Sequence, residues 1–309
     1  MMEGEVERAV AILKTGGLVA FPTETVYGLG ADADNPDAVR RIFAAKGRLP
    51  GRALSVHLGP LSDFSQWAAW DDRAQALARR FWPGPLTIIL PRTSRVHDVV
   101  TGGRDTVGLR VSSHPLCVAL LHAFGGGVAA PSANRSGHVS PTTAAHVRAE
   151  LGDAVDLILD GGACPVGVES TVLTLAEERP RILRIGAAPV EAIREVLDDV
   201  IVPETGAQAR YAPRTPLRVL PAAVLTEAAA EVGGPVAVVS PARVHGAEVH
   251  WVRAPDGAEA WARDLYGILR DLDRGAFQAI LVAEVPRGGL WDAVADRLHA
   301  AGHGRGQNG

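Results

Sequence analysis

Polar side chains that could hold a small ligand follow an apolar segment near the start of the chain. Residues 22–30 read Pro-Thr-Glu-Thr-Val-Tyr-Gly-Leu-Gly and come directly after the apolar residues 18–21. They combine two threonine hydroxyls, a carboxylate and a phenol, and α/β proteins often place ligands on loops that follow strands. The segment, which includes Thr25, is either part of a binding site or a capped turn without further role.

Two cations, Lys46 and Arg48, stand at the predicted end of a helix, and His57 follows in the next apolar segment. An ammonium supplies a point charge and a guanidinium a planar fork, a combination that suits a phosphate chain. Lys14 and Lys46 are the only lysines among 31 basic residues. This bias reflects either a need for a compact ammonium at position 46 or chance. Alternatively, the cations satisfy the C-terminus of the helix and His57 is structural.

A segment of small and hydroxyl residues, 129–137, precedes Ser140, Pro141 and Thr142. We predict a helix that opens at Ser140 and runs to about residue 151. Free backbone N–H groups at such a start attract an anion, so the segment is the best candidate for a phosphate cradle. An ordinary N-cap at Ser140 is the alternative, and the two roles are compatible.

Three further polar residues belong to predicted strands. Arg110 interrupts an apolar strand predicted over 107–111, and a charge there needs a partner. The partner is either a bound carboxylate or a fixed acidic side chain. Ser170 and Arg184, which lies in a strand predicted over 182–185, could face a shared cleft.

Several classes of chemistry lack their sequence patterns. The chain has no G-x-S-x-G elbow, no G-x-x-x-x-G-K-[ST] loop and no H-E-x-x-H pattern. Its two cysteines, Cys117 and Cys164, predict neither a zinc site nor a disulfide framework. The net charge of -4 argues against a general polyanion binder, although a local basic cleft stays possible. An acidic N-terminus and the lack of a long apolar run predict a soluble cytoplasmic protein.

The elements that must position these side chains form an irregular series of short strands and helices. With 309 residues, of which 47% are hydrophobic, the chain is long enough for one large domain or two ordinary ones. The series predicts an α/β fold with a mixed sheet over residues 1–200. Prolines and a glycine interrupt residues 201–217, which we interpret as a linker. Residues 218–309 are predicted to form a smaller α/β domain. Its expected elements are strands over 237–240 and 280–284 and helices over 258–272 and 291–301.

Local signals also mark individual elements of the first domain. Asn35 and Asp71 are predicted N-caps of helices. A helix is predicted over 115–124 and a strand over 128–130.

Taken in order, the motifs PTETVYGLG, KGR, FWPGPLT, VGLRV, APSANRSG, SPT, ESTV and ILRIG resemble the YrdC/YciO family over about residues 5–200. The linker and the segment after it resemble the longer, two-domain members of that family. The resemblance implies an open, twisted mixed sheet around a basic cavity, followed by a smaller Rossmann-like domain.

The resemblance also implies an activity. L-threonine, bicarbonate and ATP would give threonylcarbamoyl-AMP and pyrophosphate, with Mg²⁺ accompanying the ATP. A separate transferase complex would then move the group to the tRNA adenosine next to the anticodon, so tRNA would be an indirect partner. Neither a membrane nor DNA is expected as a partner. The reaction needs positioning of anions more than a protein nucleophile, which agrees with the missing nucleophile motifs.

Site residues are implied by the same resemblance. Catalytic roles fall to Lys46 and Arg48. The threonine pocket would contain Thr25, His57, Arg110, Ala130 and Ser170. The ATP site would contain Arg48, Arg52, Thr106, Ser132, Ser140, Arg184 and Tyr211. The chain departs from the family pattern at Arg52, where asparagine is common, and in the linker at Thr205 and Arg210.

Two other functions stay open from the sequence. One is a related enzyme that makes a carbamoyl-adenylate for another acceptor, because a fold alone does not determine a function. The other is a nonenzymatic RNA-binding factor that holds duplex RNA through phosphate contacts.

Overall fold

The computed structural model describes residues 2–203 and 212–302. The chain divides into two compact units. One comprises Met1–Ser136 and Ser140–Pro203, and the other comprises Gly137–Val139 and Glu204–Gly309. Among the described residues, no helix is both long and apolar enough to cross a membrane.

The first unit combines helices with a large mixed sheet. Its described helices are α1 (Met2–Lys14), α2 (Pro36–Lys46), α3 (Asp72–Phe81), α4 (Asp98–Thr101), α5 (Pro115–Phe124), α6 (Ala144–Leu151) and α7 (Val190–Arg194). Its strands are β1 (Val19–Phe21), β2 (Gly28–Asp32), β3 (Ser55–His57), β4 (Leu86–Pro91), β5 (Thr106–Arg110), β6 (Val128–Ala130), β7 (Leu157–Ile158), β8 (Thr171–Thr174) and β9 (Arg181–Arg184).

These nine strands form one sheet in the order β7-β1-β2-β6-β3-β5-β4-β8-β9. The pairs β1–β7, β3–β5 and β4–β8 are parallel, and the other five neighbouring pairs are antiparallel. The prediction of an α/β fold with a mixed sheet is therefore confirmed.

The central strands have an apolar face and a face that carries polar groups, because successive side chains of a strand point to opposite sides. On the apolar face, Val56, Leu109, Ile88 and Leu173 are fully buried in the main hydrophobic core. His57 and Arg110 alternate with Val56 and Leu109, so they lie on the opposite face. This packing orients the polar groups of β3 and β5 toward one side of the sheet.

Two helices begin where their capping residues predict. The Asn35 side chain accepts hydrogen bonds from the backbone N–H groups of Asp37 and Ala38, both at 3.1 Å, and α2 follows with Pro36 at its first position. The Asp71 side chain accepts from the N–H of Ala74 at 2.8 Å and opens α3. The predictions for these helix starts are confirmed.

The predicted helix start at Ser140 is wrong. Helix α6 begins at Ala144, and its N-cap is Thr143, whose side chain accepts from the N–H of His146 at 3.2 Å. The preceding residues serve other segments: the Pro141 carbonyl accepts from Tyr27 N–H, and the Thr142 carbonyl accepts from Cys164 N–H, both at 2.9 Å. These long-range bonds hold the backbone out of the helix.

Strand β2 begins inside the segment 22–30, which the sequence marked only as a polar loop. Its glycines let neighbouring elements approach closely. A Cβ atom at Gly30 would lie 2.6 Å from Val128 Cγ1 and 2.7 Å from the Phe21 ring. Only glycine fits between these side chains, which is a packing requirement that local sequence does not display.

The second unit is smaller and contains an all-parallel sheet. Its described elements are β10 (Leu217–Leu220), α8 (Leu225–Glu231), β11 (Val236–Ser240), β12 (Val249–Arg253), α9 (Ala258–Asp273), β13 (Ala279–Ala283) and α10 (Leu290–Gly302). The strand order is β10-β13-β11-β12. This arrangement confirms the predicted smaller Rossmann-like unit, while β10, α8 and β12 were not predicted.

Candidate active site

The centre of the candidate site is a row of side chains across neighbouring strands. His57 of β3 is the register partner of Arg110 of β5 in a parallel pair, and Ser55 is the partner of Ala130 of β6. Partners in register share a face of the sheet. Ser55 and His57 are two residues apart, so all four residues face the same side.

Gly108 of β5 lies on the same face of the sheet and has no side chain that would separate its neighbours on β3 and β4. A Cβ atom at Gly108 would lie 3.2 Å from Thr87 Cγ2 and 3.4 Å from Ser55 Oγ. Glycine therefore lets side chains from β4 and β3 lie close together over β5. Thr106 is half-buried on the same face of β5 as Arg110, at the other end of the strand.

Arg110 has an internal acidic partner. Its Nη2 donates to Glu24 Oε1 and to Thr25 Oγ1, each at 2.8 Å, and both charged side chains are buried. Burial by itself raises the pKa of Glu24, but the Arg110 charge and hydrogen bonds from Ser112 and Arg110 outweigh it and leave the pKa lowered. Of the two partners that the sequence allowed for Arg110, the fixed acidic side chain is present.

His57 is buried and neutral at physiological pH. Burial, and then the nearby Arg110 charge, lower the pKa of His57 to about 3. Its ring meets Phe21 edge-on with centroids 5.6 Å apart. His57 Nδ1 and Arg110 Nε are both buried without a hydrogen-bond partner among the described residues. Unsatisfied buried polar atoms are costly, so these two adjacent residues are candidates to bind a polar ligand.

A second polar cluster contains Ser170, which directly precedes β8, and Arg184, the last residue of β9. Ser170 Oγ is 2.8 Å from Thr87 Oγ1, and Arg184 Nη2 donates to Ser170 O at 2.9 Å and to Ser170 Oγ at 3.0 Å. Arg184 is the register partner of Val172. The structure therefore brings Ser170 and Arg184 together, next to β4.

Lys46 is buried at the end of α2 and reaches into the loop after β6. Its Nζ donates to the carbonyl oxygen of Ser132, and to that of Asn134 at 2.5 Å. The N–H of Ser136 in turn donates to Lys46 O at 2.9 Å. Burial, and then the charge of Arg48, lower the pKa of Lys46 to about 7. Lys46 thus holds the proposed phosphate cradle together by direct contacts.

Backbone hydrogen bonds join the three polar segments that the sequence had marked separately. Leu29 N–H donates to Pro131 O at 2.9 Å, Ala133 N–H donates to Tyr27 O at 2.8 Å, and Gly28 and Ser132 form an isolated β-bridge. Tyr27 N–H also donates to Pro141 O, as described above. The segments around Thr25, Ser132 and Ser140 are consequently neighbours.

Ser140 is fully buried, and its Oγ donates to Glu169 Oε1 at 2.7 Å. Glu24 and Glu169 are the two buried carboxylates next to predicted site residues, and sequence reasoning had assigned neither a role. Each directly precedes a predicted site residue, Thr25 or Ser170. Their position next to predicted site residues was the one signal in the sequence that could have found them. It does not show that the two carboxylates are buried.

Of the remaining predicted ATP residues, Arg48 is connected to these clusters through its charge near Lys46. Arg48 is half-buried and donates through Nη2 to Ala53 O at 3.2 Å. Arg52 is exposed, and its side chain makes no hydrogen bond or ion pair with the described residues. Tyr211, like Thr205 and Arg210, lies outside the described residues.

A family model for Sua5, YciO and YrdC proteins, described as "Telomere recombination", matches residues 11–186. The chain belongs to this family. A second model, described as the C-terminal domain of threonylcarbamoyl-AMP synthase, matches residues 189–302. The family matches therefore cover both units.

Relatives match the chain almost from end to end. The threonylcarbamoyl-AMP synthase of Pyrococcus abyssi is 37% identical over 97% of this chain and 94% of its own length. The enzyme of the same name from Bacillus subtilis is 36% identical over the same shares. The crystal structure of P. abyssi Sua5 complexed with L-threonine covers 98% of this chain and 95% of its own, at 36% identity and a TM-score of 0.90.

E. coli YciO resembles a smaller part. It covers 62% of this chain and 94% of its own, at 27% identity and a TM-score of 0.56. The likeness to the P. abyssi protein thus extends through the second unit, which distinguishes this chain from shorter members of the family.

Proposed function

We propose that this protein is a threonylcarbamoyl-AMP synthase that joins L-threonine, bicarbonate and ATP and releases pyrophosphate. The observation that carries the proposal is the end-to-end likeness to two enzymes of that name, in both units. The buried cluster of Thr25, His57 and Arg110 supports it, because the guanidinium Nε–H of Arg110 and the Nδ1 of His57 are buried there without a described hydrogen-bond partner.

In this proposal the threonine pocket is formed by Thr25, His57, Arg110, Ala130 and Ser170. Arg110 binds the carboxylate of threonine, and a neutral His57 and the Thr25 hydroxyl shape the pocket beside it. The register of β3, β5 and β6 supports a common pocket for His57, Arg110 and Ala130. The preformed sheet would hold these groups without reorganisation during the reaction.

The chemistry requires the protein to gather anions. The threonine amine and bicarbonate form an N-carboxylate with loss of water. One carboxylate oxygen then attacks the α-phosphorus of ATP, a new P–O bond forms, and the P–O bond to pyrophosphate breaks. Lys46 and Arg48 would offset the charge of these anions, and positioning would supply most of the rate acceleration.

The nucleotide would be held by Arg48, Arg52, Thr106, Ser132, Ser140, Arg184 and Tyr211. The contacts of Lys46 with the carbonyls of Ser132 and Asn134 support a rigid cradle on this side. Because Thr143 and not Ser140 caps α6, phosphate binding in the cradle would depend on groups of the loop more than on the helix start.

Mg²⁺ would enter as an ion bound to the ATP phosphates. The chain segments described here contain no group of three or more potential His, Cys, Asp or Glu ligands. The nearby carboxylates of Glu24 and Glu169 already accept hydrogen bonds from Arg110, Ser112 and Ser140. Mg²⁺ prefers phosphate and water oxygens at ATP sites, so the ion would be held mainly by the nucleotide.

The product would pass to a separate transferase complex that modifies the tRNA adenosine next to the anticodon. This step would take place in the cytoplasm, where buried free thiols such as Cys117 and Cys164 stay reduced.

Mass spectrometry of the product tests the function. Incubation with ATP, L-threonine, ¹³C-bicarbonate and Mg²⁺ should give threonylcarbamoyl-AMP that carries the label, and omission of threonine should abolish it. An exposed arginine on α2, Arg40, offers a matched control: Arg40→Met should keep full activity, whereas Arg110→Met should keep only a small, measurable part of it. ATP turnover that is independent of threonine would favour a carbamoyl-adenylate enzyme for another acceptor. RNA binding without ATP turnover would favour the nonenzymatic function.

A further inference from the structure

Glu24 is a buried carboxylate that touches several parts of the threonine pocket. Oε1 accepts from Arg110 Nη2 at 2.8 Å, and Oε2 accepts from Ser112 Oγ and from the N–H of Ser113 at 3.2 Å. The backbone carbonyl of Glu24 accepts from Val166 N–H at 2.9 Å. With both oxygens and the backbone engaged, the carboxylate has one well-defined orientation.

These contacts determine how Arg110 presents its donors. Nη2 carries two hydrogens, and its two acceptors, Glu24 Oε1 and Thr25 Oγ1, account for both. The plane of the guanidinium is therefore fixed from one side. Its Nε is left as a buried donor without a partner among the described residues.

The buried pair also changes the electrostatics of the pocket. Glu24 and Arg110 neutralise each other, and both side chains are about 5% exposed. Recognition of a ligand carboxylate would therefore depend on a hydrogen-bond donor of fixed direction and less on a net positive charge in the pocket. Removal of one partner from such a pair leaves an uncompensated buried charge that is free to take another orientation.

We propose that Glu24 is a positioning residue that orients Arg110 and thereby sets the affinity for the carboxylate of threonine. This inference rests on the proposed function. Glu24 acts through Arg110 and needs no contact of its own with threonine.

Titration calorimetry with L-threonine alone tests the inference without catalysis. Glu24→Gln keeps the shape of the side chain but loses its charge, and it should weaken threonine binding by at least about tenfold, the scale of one charge-assisted hydrogen bond. In kinetic assays the KM for ATP should change by less than about threefold. Asp156→Asn is the matched control, because Asp156 pairs with Arg41 and the N–H of Leu18 outside the pocket. It should leave threonine binding unchanged.

A double-mutant cycle separates positioning from direct contact. If Glu24 acts only through Arg110, Glu24→Gln should cause little further loss of kcat/KM for threonine in an Arg110→Met background. A further tenfold loss there would show a direct contact and overturn the inference. Unchanged or tighter threonine binding by Glu24→Gln would also overturn the positioning role of Glu24. Equal increases in the KM for threonine and the KM for ATP would overturn it too.

Ser112→Ala provides a milder variant if Glu24→Gln does not fold. It removes one donor to Glu24, and should weaken threonine binding by about twofold to fivefold; unchanged binding would then overturn the inference. Wild-type protein that neither binds threonine nor makes the adenylate would instead refute the proposed function.

Discussion

At the scale of single residues, the site consists of buried charges whose partners come from distant parts of the chain. Arg110 is held by Glu24, 86 positions away, and Lys46 is held by carbonyl groups 86 and 88 positions away. Such contacts make each residue sensitive to substitution, because loss of one partner leaves the other buried and unpaired.

Lys46→Ala should lower threonine-dependent pyrophosphate release at least about a hundredfold, the scale of one lost electrostatic donor. The variant loses both the charge and the hydrogen bonds to Ser132 and Asn134. Lys14→Ala is the natural control, because Lys14 is the only other lysine and is exposed at the end of α1. Near-normal turnover by Lys46→Ala would remove Lys46 from the mechanism.

The free energy of unfolding should fall as the pH decreases from about 6.5 toward 3, with His57 as one cause. In the unfolded chain a histidine binds a proton near pH 6.5, whereas burial lowers the pKa of folded His57 to about 3. Protons therefore favour the unfolded state between these values. Urea denaturation at pH 7 and pH 5 should show a smaller decrease for His57→Phe than for wild type. An identical decrease in both proteins would mean that His57 of the folded protein binds its proton in the same pH range as in the unfolded chain.

At the scale of elements, close packing of short strands positions the pocket. Strand β2 pairs with β1 and β6, and its glycines admit Phe21 and Val128. Because β6 also pairs with β3, a displacement of β2 would be transmitted toward Ala130 and His57.

Gly30→Ala should destabilise the first unit by about 1–3 kcal/mol through overpacking. The added Cβ would lie 2.6 Å from Val128 Cγ1, a distance that requires the neighbouring strands to move apart. Gly4→Ala in α1 is the control, since a Cβ there has no neighbour within 4 Å. That change should leave stability unchanged or raise it by up to about 1 kcal/mol. Urea denaturation followed by circular dichroism measures both effects.

At the scale of the whole molecule, each unit has its own sheet and apolar core. The nine-stranded sheet and its main cluster lie in the first unit, and a separate cluster surrounds β11 and β13 in the second. Ile201 still belongs to the first sheet, because it bridges to Arg181 and its carbonyl accepts from Ile182 N–H at 2.8 Å.

A chain that ends after Pro203 should fold but turn over poorly. It keeps the bridge to Ile201 and the main core, so its cooperative unfolding should persist. It lacks Tyr211, which the family resemblance assigns to the nucleotide. Circular dichroism and pyrophosphate release on the same sample test both parts. Full activity would show that the second unit is dispensable for the reaction.

Much of the secondary structure followed from local signals. Asn35 and Asp71 capped their helices as expected, and the predicted bounds of α5 and β6 are the observed ones. The local signals failed at Ser140 and in residues 28–32. At both places, hydrogen bonds or packing contacts with distant segments override the preference of the local sequence.

The order of the motifs by itself determined the family, the mixed α/β fold and a set of candidate residues, because several short motifs in a fixed order are far more specific than any one of them. Only the tertiary structure decided which groups meet. It showed that Arg110 donates to Glu24, that Lys46 donates to the carbonyl of Ser132 and that Ser140 donates to Glu169. Those pairings depend on strand register and burial, which arise when segments far apart in the chain pack together.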